Sequence, residues 1–185
     1  MPLPPPAPRT AQHVRRVIYQ GFKREDGLWD IEGELHDSKA LDWATPHNPA
    51  RVRRAGEAIH HILLRVTVDA KLVVHAIESA MDTYPLHDCP EARRALQSMV
   101  GCSMARGWRQ AIQNRLGGVA GCTHMRELLF NLATASFQTV QSFAGENGAP
   151  PRHLGQCVGW DFNGSAVREY YPQFHGRAPH PKKAM

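Results

Sequence analysis

A cysteine, a histidine and a glutamate fall within six positions of one another in the segment Gly117-Gly118-Val119-Ala120-Gly121-Cys122-Thr123-His124-Met125-Arg126-Glu127. The glycines make a turn, and the residues after it take up a helical period, so Cys122 and His124 are delivered to a helix N-terminus. Free backbone N–H groups and the positive end of the helix dipole stabilise a thiolate there, which can attack a substrate or bind a metal. With Thr123 as the expected N-cap, His124 and Glu127 lie one turn apart on one face, and Asn131, Thr134 and Gln138 continue it as a polar stripe. This stripe either meets solvent on an amphipathic helix, with Cys122 as small buried filler, or lines a pocket.

Further positions carry donor side chains. In the run Ala58 to Val68, alternation puts His60 on the apolar face with Ile62, Leu64, Val66 and Val68, where a histidine needs a partner, while His61 joins Arg65 and Thr67 outside. Cys89 precedes Pro90 at another helix start, and Cys89, Cys122, His124 and His60 together form an N/S donor set of the kind zinc prefers, with no short motif fixing its geometry. Asp30 and Glu32 lie two apart on the polar face of a strand, spaced for acid and base roles or for cross-strand pairing with Arg15 or Arg16. Glu57, near His60 in sequence, is a further candidate, while Cys102 and Cys157 read as structural.

The elements that must position these residues form an α+β fold. Val14 to Lys23 reads as a strand, Arg24 to Gly27 as a turn, and Leu28 to Leu35 as the returning strand, with Trp29, Ile31 and Leu35 on one face and Asp30, Glu32 and Glu34 on the other. The stretch from Thr45 to Gly56 has no apolar period and reads as a loop. A second hairpin follows, Ala58 to Val68 and Leu72 to Ala80, turned at Asp69-Ala70-Lys71. After an antiparallel sheet of about four strands, about three helices are expected on one face: Pro90 to Val100, Gly107 to Leu116, and Thr123 to Phe143 closed by Gly145. In the third, Met125, Leu128, Leu129, Leu132, Ser136, Val140 and Phe143 form the buried seam. The patch Val158 to Phe162 is expected to add a strand or cover the core.

With 185 residues, 42% of them apolar and 21% charged, the chain can bury a core of its own. A proline-rich lead over 1–10, one domain over 11–175 and a disordered tail over 176–185 are expected. No apolar run approaches the roughly 20 residues of a membrane span. The N-terminal stretch reads as neither secretory signal nor transit peptide, so a soluble, cytoplasmic protein is expected. The net charge of +5 is scattered rather than concentrated on one face, which argues against nucleic-acid binding. The four cysteines contain no CxxC pair and are expected as free thiols.

Taken together, Arg15-Arg16-Val17, Asp26-Gly27-Leu28-Trp29-Asp30-Ile31-Glu32, Gly56-Glu57-Ala58-Ile59-His60, Val66-Thr67-Val68-Asp69, Gly121-Cys122-Thr123-His124 and Ala135-Ser136-Phe137-Gln138-Thr139 resemble the bacterial domain of unknown function 2889 family. That resemblance covers about Pro5 to Val140 and implies a link to bacterial catabolic gene clusters, with Cys102 departing from its pattern. In element order alone, the chain is also similar to NifU and IscU type iron–sulfur scaffolds, with Cys89 and Cys122 at the matching helix starts. The leading expectation is a small-molecule hydrolase or lyase acting on aromatic or acyl compounds, its pocket between sheet and long helix. Cys122 is its nucleophile or metal ligand, His124 its base or ligand and Glu127 the orienting group, with Asn131, Gln138, His60, Asp30 and Glu32 toward substrate. A non-catalytic carrier of zinc or an iron–sulfur cluster and a structural homo-oligomer are the alternatives.

Overall fold

The computed structural model describes residues 3–45, 48–140 and 148–177. Six strands come first: β1 (His13–Lys23), β2 (Trp29–Lys39), β3 (Trp43–Thr45), β4 (Asn48–Arg53), β5 (Ala58–Val68) and β6 (Val74–Thr83). Helices α1 (Arg93–Leu96), α2 (Trp108–Leu116), α3 (Thr123–Thr139) and α4 (Ser165–Tyr170) follow. The α+β class with its sheet first is as the sequence predicts. Strands β1, β2, β5 and β6 form one antiparallel sheet in the order β1-β2-β5-β6.

The first hairpin turns at Gly27, whose φ of 85° is the left-handed region a glycine occupies without steric cost. From there the register runs unbroken, Lys23 opposite Trp29 through to His13 opposite Lys39. β2 therefore continues past Leu35, the expected end, and carries His36 and Asp37 into the sheet. The stretch from 45 to 56 departs from the expected loop: β3 and β4 pair as a separate antiparallel ribbon, with Trp43 opposite Arg53 and Ala44 opposite Val52. A two-stranded ribbon has free edges on both sides, where Pro49 costs no ladder bond.

One face of the sheet is dry. Ile31, Leu35, Ile62, Leu64, Val66, Val68, Val74 and Ile77 join Met125, Leu128, Leu129 and Leu132 of α3 and Trp108, Ile112 and Leu116 of α2 in one core. The expected α3 seam is buried through Ser136; Phe143 and Gly145 lie outside the described residues. Near the other end of α3 the backbones come close. A Cβ on Gly21 of β1 would sit 2.0 Å from Thr139 Oγ1, so glycine permits that approach.

The expected helix from Pro90 to Val100 is broken into a 3-10 turn at Cys89–Ala92, the single turn of α1, and a second 3-10 turn at Gln97–Met99. Ser98 competes with its backbone ladder by donating its hydroxyl to the Ala95 carbonyl at 2.6 Å, and Gln97 ties the segment to β6 by donating to Ile77 O at 2.8 Å. At the start of α3 the cap is Cys122, not Thr123. Cys122 is extended (φ −88°, ψ 134°), and its carbonyl accepts the first helical bond from Arg126 N.

The chain divides into two compact units, Met1–Val140 and Gln141–Met185. In the second, Leu154, Phe162, Val167 and Phe174 form a small core with Trp160 and Tyr171 packed on it. Its Val158–Trp160 segment is a 3-10 turn rather than a strand. Of the expected tail, residues 178–185 lie outside the described residues. Among the described residues no helix is long and apolar enough to cross a membrane.

Candidate active site at the start of helix α3

Three strands set three ionisable side chains in a row. The β1–β2 register places Arg15 opposite Asp37, and the β2–β5 register places Asp37 opposite His60, just before a bulge between Asp37 and Ser38. All three lie on the face that α3 covers, and the first turn of α3 brings Cys122, His124 and Glu127 over them.

Asp37, with its side chain only 3% exposed, is the centre. Arg15 donates to it twice in a planar fork, Nε to Oδ1 and Nη2 to Oδ2, both at 2.8 Å. The same guanidinium reaches Glu127 through Nη1. His13 Nε2 lies 3.2 Å from Oδ1, while His60 Nδ1 and His124 Nε2 lie 3.3 and 3.6 Å from Oδ2. The rings of His60 and His124 are stacked at a tilt of 38°, their centroids 4.0 Å apart. On its far side, His124 presents Nδ1 to Cys122 Sγ at 3.7 Å.

These neighbours shift the protonation of each group. Burial alone would raise the Asp37 carboxyl, but the Arg15 fork, helped by His13 and His124, holds it below the usual range, and Arg15 is raised in turn. His60 is lowered, first by burial and then by His124, with Asp37 pulling the other way. Its Nδ1 is buried, and its 3.3 Å approach to Asp37 lacks hydrogen-bond geometry, so the atom has no hydrogen-bond partner among the described residues. For Cys122, burial raises the thiol, yet the contact with His124 and the backbone N–H groups of Met125 and His124 outweigh it and leave the thiol lowered.

The expected residues thus divide. Cys122, His124 and His60 come together. Glu127 joins them through Arg15, while Asp37 is the carboxylate facing His124. Asn131 and Gln138 are exposed further along α3, and Asn131 is a partner of Tyr19. Asp30 and Glu32 are on the opposite face of the sheet. Asp30 accepts from Thr67 Oγ1 at 2.6 Å and pairs with Arg24, and Glu32 pairs with Arg65. The register sends Arg15 to Asp37, several residues beyond the pairing expected for it. Glu57 pairs with Arg53. Cys89 stays apart in its 3-10 turn, Cys102 packs against the core, and Cys157 is exposed. A shallow groove of about 360 Å³ lies on the outer face between Ile18, Glu32, Leu63, Arg65 and Glu78, away from this chemistry. The cluster lies where the sheet meets the start of α3, at the rim of the core, with His60 and His124 15% and 21% exposed.

A family model described as a protein of unknown function, DUF2889, matches residues 13–138. The chain belongs to the DUF2889 family. The matched span starts at His13 and includes every residue of the cluster. No curated protein and no solved structure matches the chain, so the likeness to NifU and IscU scaffolds rests on element order alone.

The lowered His60 makes stability depend on pH. Below about pH 6.5 an unfolded histidine gains a proton while the folded one resists, so the unfolded state binds more protons and stability falls with pH until the folded His60 titrates. Asp37, lowered in the fold, adds a second loss below about pH 4. Urea midpoints taken between about pH 7 and pH 5 should fall for the wild type and fall less for His60→Gln. Equal slopes for the two proteins would remove His60 as the source.

Proposed function

We propose that this protein is a thiol-dependent hydrolase of acyl compounds, with Cys122 as nucleophile, His124 as general acid and base, and Asp37 orienting His124. The observation that carries this reading is the line Cys122 Sγ, His124 Nδ1, His124 Nε2 and Asp37 Oδ2, with 3.7 and 3.6 Å at its two ends and the sulfur on the amides of the helix start. A nucleophile beside a base, and that base held by a third group, is the general pattern of activated nucleophiles. Glu127 and Arg15 act at one remove, because Arg15 holds the carboxylate that faces the imidazole.

The chemistry balances with these groups and water. The Cys122 thiolate forms a carbon–sulfur bond to the substrate carbonyl, and the leaving group departs with a proton from His124 Nδ1. Water then attacks the thioester, gives its proton to Nδ1 and releases the acid, returning the thiolate. A small-molecule acyl substrate, of the kind bacterial catabolic routes generate, suits an accessible site at the rim of the sheet.

Brief labelling with iodoacetamide at neutral pH, read by peptide mass, tests the nucleophile. An ordinary thiol is only a few per cent ionised there, so a largely ionised one gains up to about thirtyfold in reactive form. Cys122 should be alkylated ahead of the exposed Cys157, and His124→Ala should slow it about tenfold. An activated acyl ester should leave its acyl group on Cys122 and none on a Cys122→Ala protein. Labelling of Cys122 no faster than of Cys157 overturns the reading.

A further inference from the structure

Three ligand-type atoms in the cluster converge on one point. His60 Nδ1, His124 Nε2 and Asp37 Oδ2 all lie within 4.8 Å of one another, and they come from three different elements, β5, α3 and β2. Bonds of about 2.0–2.1 Å around a tetrahedral ion place neighbouring ligand atoms about 3.3–3.4 Å apart. The two distances to Asp37 Oδ2, 3.3 and 3.6 Å, sit at that spacing. The buried His60 nitrogen has no hydrogen-bond partner among the described residues. An unpaired buried polar atom is costly to a fold unless something is bound to it.

The surroundings match what metal ligands need. Two of the three ligands are fixed from behind: His124 by Cys122 at its other ring nitrogen, and Asp37 by the Arg15 fork and His13. Partial exposure of both imidazoles provides an entry path and an open fourth position. We propose that Asp37, His60 and His124 form a site for a divalent transition-metal ion of the zinc type. Two imidazoles and one carboxylate favour such an ion over calcium or magnesium, which take mostly oxygen ligands. Cys122 stands outside the ligand set, against the far nitrogen of His124. The site shares His124 and Asp37 with the thiol reading but does not depend on it.

The test is titration of the chelator-treated full chain with cobalt(II), followed by visible absorption and calorimetry. One ion per chain is expected, with ligand-field bands but no sulfur-to-cobalt charge-transfer band. His60→Gln should lose more than the ten- to hundredfold in affinity that removal of an outer partner costs, because it removes a ligand. Cys89→Ser, away from the cluster in its 3-10 turn, should bind as the wild type does, and circular dichroism checks that both variants are folded. No saturable binding, unchanged binding by His60→Gln, or a sulfur charge-transfer band each overturns the proposal. A failed cobalt titration leaves the alkylation rate of the metal-free protein as it was, and a slow Cys122 leaves the titration as it was, so the two readings fail separately.

Discussion

An Arg15→Ala protein should be about 3 kcal/mol less stable than the wild type at neutral pH, a large part of the roughly 5–15 kcal/mol that holds a domain together. The cost comes from what is left behind. Asp37 is almost wholly buried, and without the guanidinium fork its charge has only histidines beside it. The opposite truncation is milder. Asp37→Ala leaves an Arg15 side chain that is 32% exposed and still paired with Glu127, so solvent carries part of its charge, and about 1.5 kcal/mol is expected. Arg15→Lys should recover only part of the loss, because an ammonium cannot span both carboxylate oxygens. Chemical unfolding of the three variants measures this ordering. Equal losses from Arg15→Ala and Asp37→Ala would show that the pair is screened by water at both ends.

Trp108→Ala should cost about 3–5 kcal/mol, the range for removing a buried aromatic side chain. Trp108 is 4% exposed and opens α2 against α3, and its indole Nε1 donates to the Leu129 carbonyl at 2.7 Å. Two effects add: a cavity among Ile112, Leu129 and their neighbours, and the loss of a buried hydrogen bond. Trp108→Phe separates them, since it keeps much of the volume and gives up the bond, worth about 1 kcal/mol. Urea midpoints converted with a common slope give both numbers. A loss below about 1 kcal/mol for the alanine variant would mean that α2 is held by something other than this side chain.

Much of the fold is readable from periodicity, because a sheet with one dry face writes itself as alternation. Ala58 to Val68 appears as β5 with the expected bounds, and the core-facing place of His60 follows from its parity with Ile62 and Leu64. The opening of α3 by Cys122 and His124 is likewise visible in the glycines before it. Asp37 is harder to see. Aspartate is rare inside strands and common in turns, so the run His36-Asp37-Ser38 looks like the end of β2 when it is the middle of the site. The signal was nonetheless present. Equal steps back from Lys23 and forward from Trp29, across the Gly27 turn, lead to Arg15 and Asp37. The β3–β4 ribbon leaves a weaker trace, being short and proline-bearing with Val52 exposed, and the broken α1 involves side-chain bonds from Ser98 and Gln97 that no apolar period encodes.

Strand β1 is the sheet's edge and is laddered along one side only. Near its far end, Gly21 lets the backbone close onto Thr139, whereas His13 and Arg15 stand near the strand's first residue, held to β2 through Asp37. Opening there is a sub-global event whose free energy is well below that of unfolding the whole domain, and amide hydrogen exchange reports it directly. When those few residues peel away, Asp37 loses its guanidinium while β2, β5 and α3 are still folded. The charge balance of the cluster is therefore coupled to a local opening equilibrium, and the protection of the first β1 amides reads out how often the site is electrostatically complete.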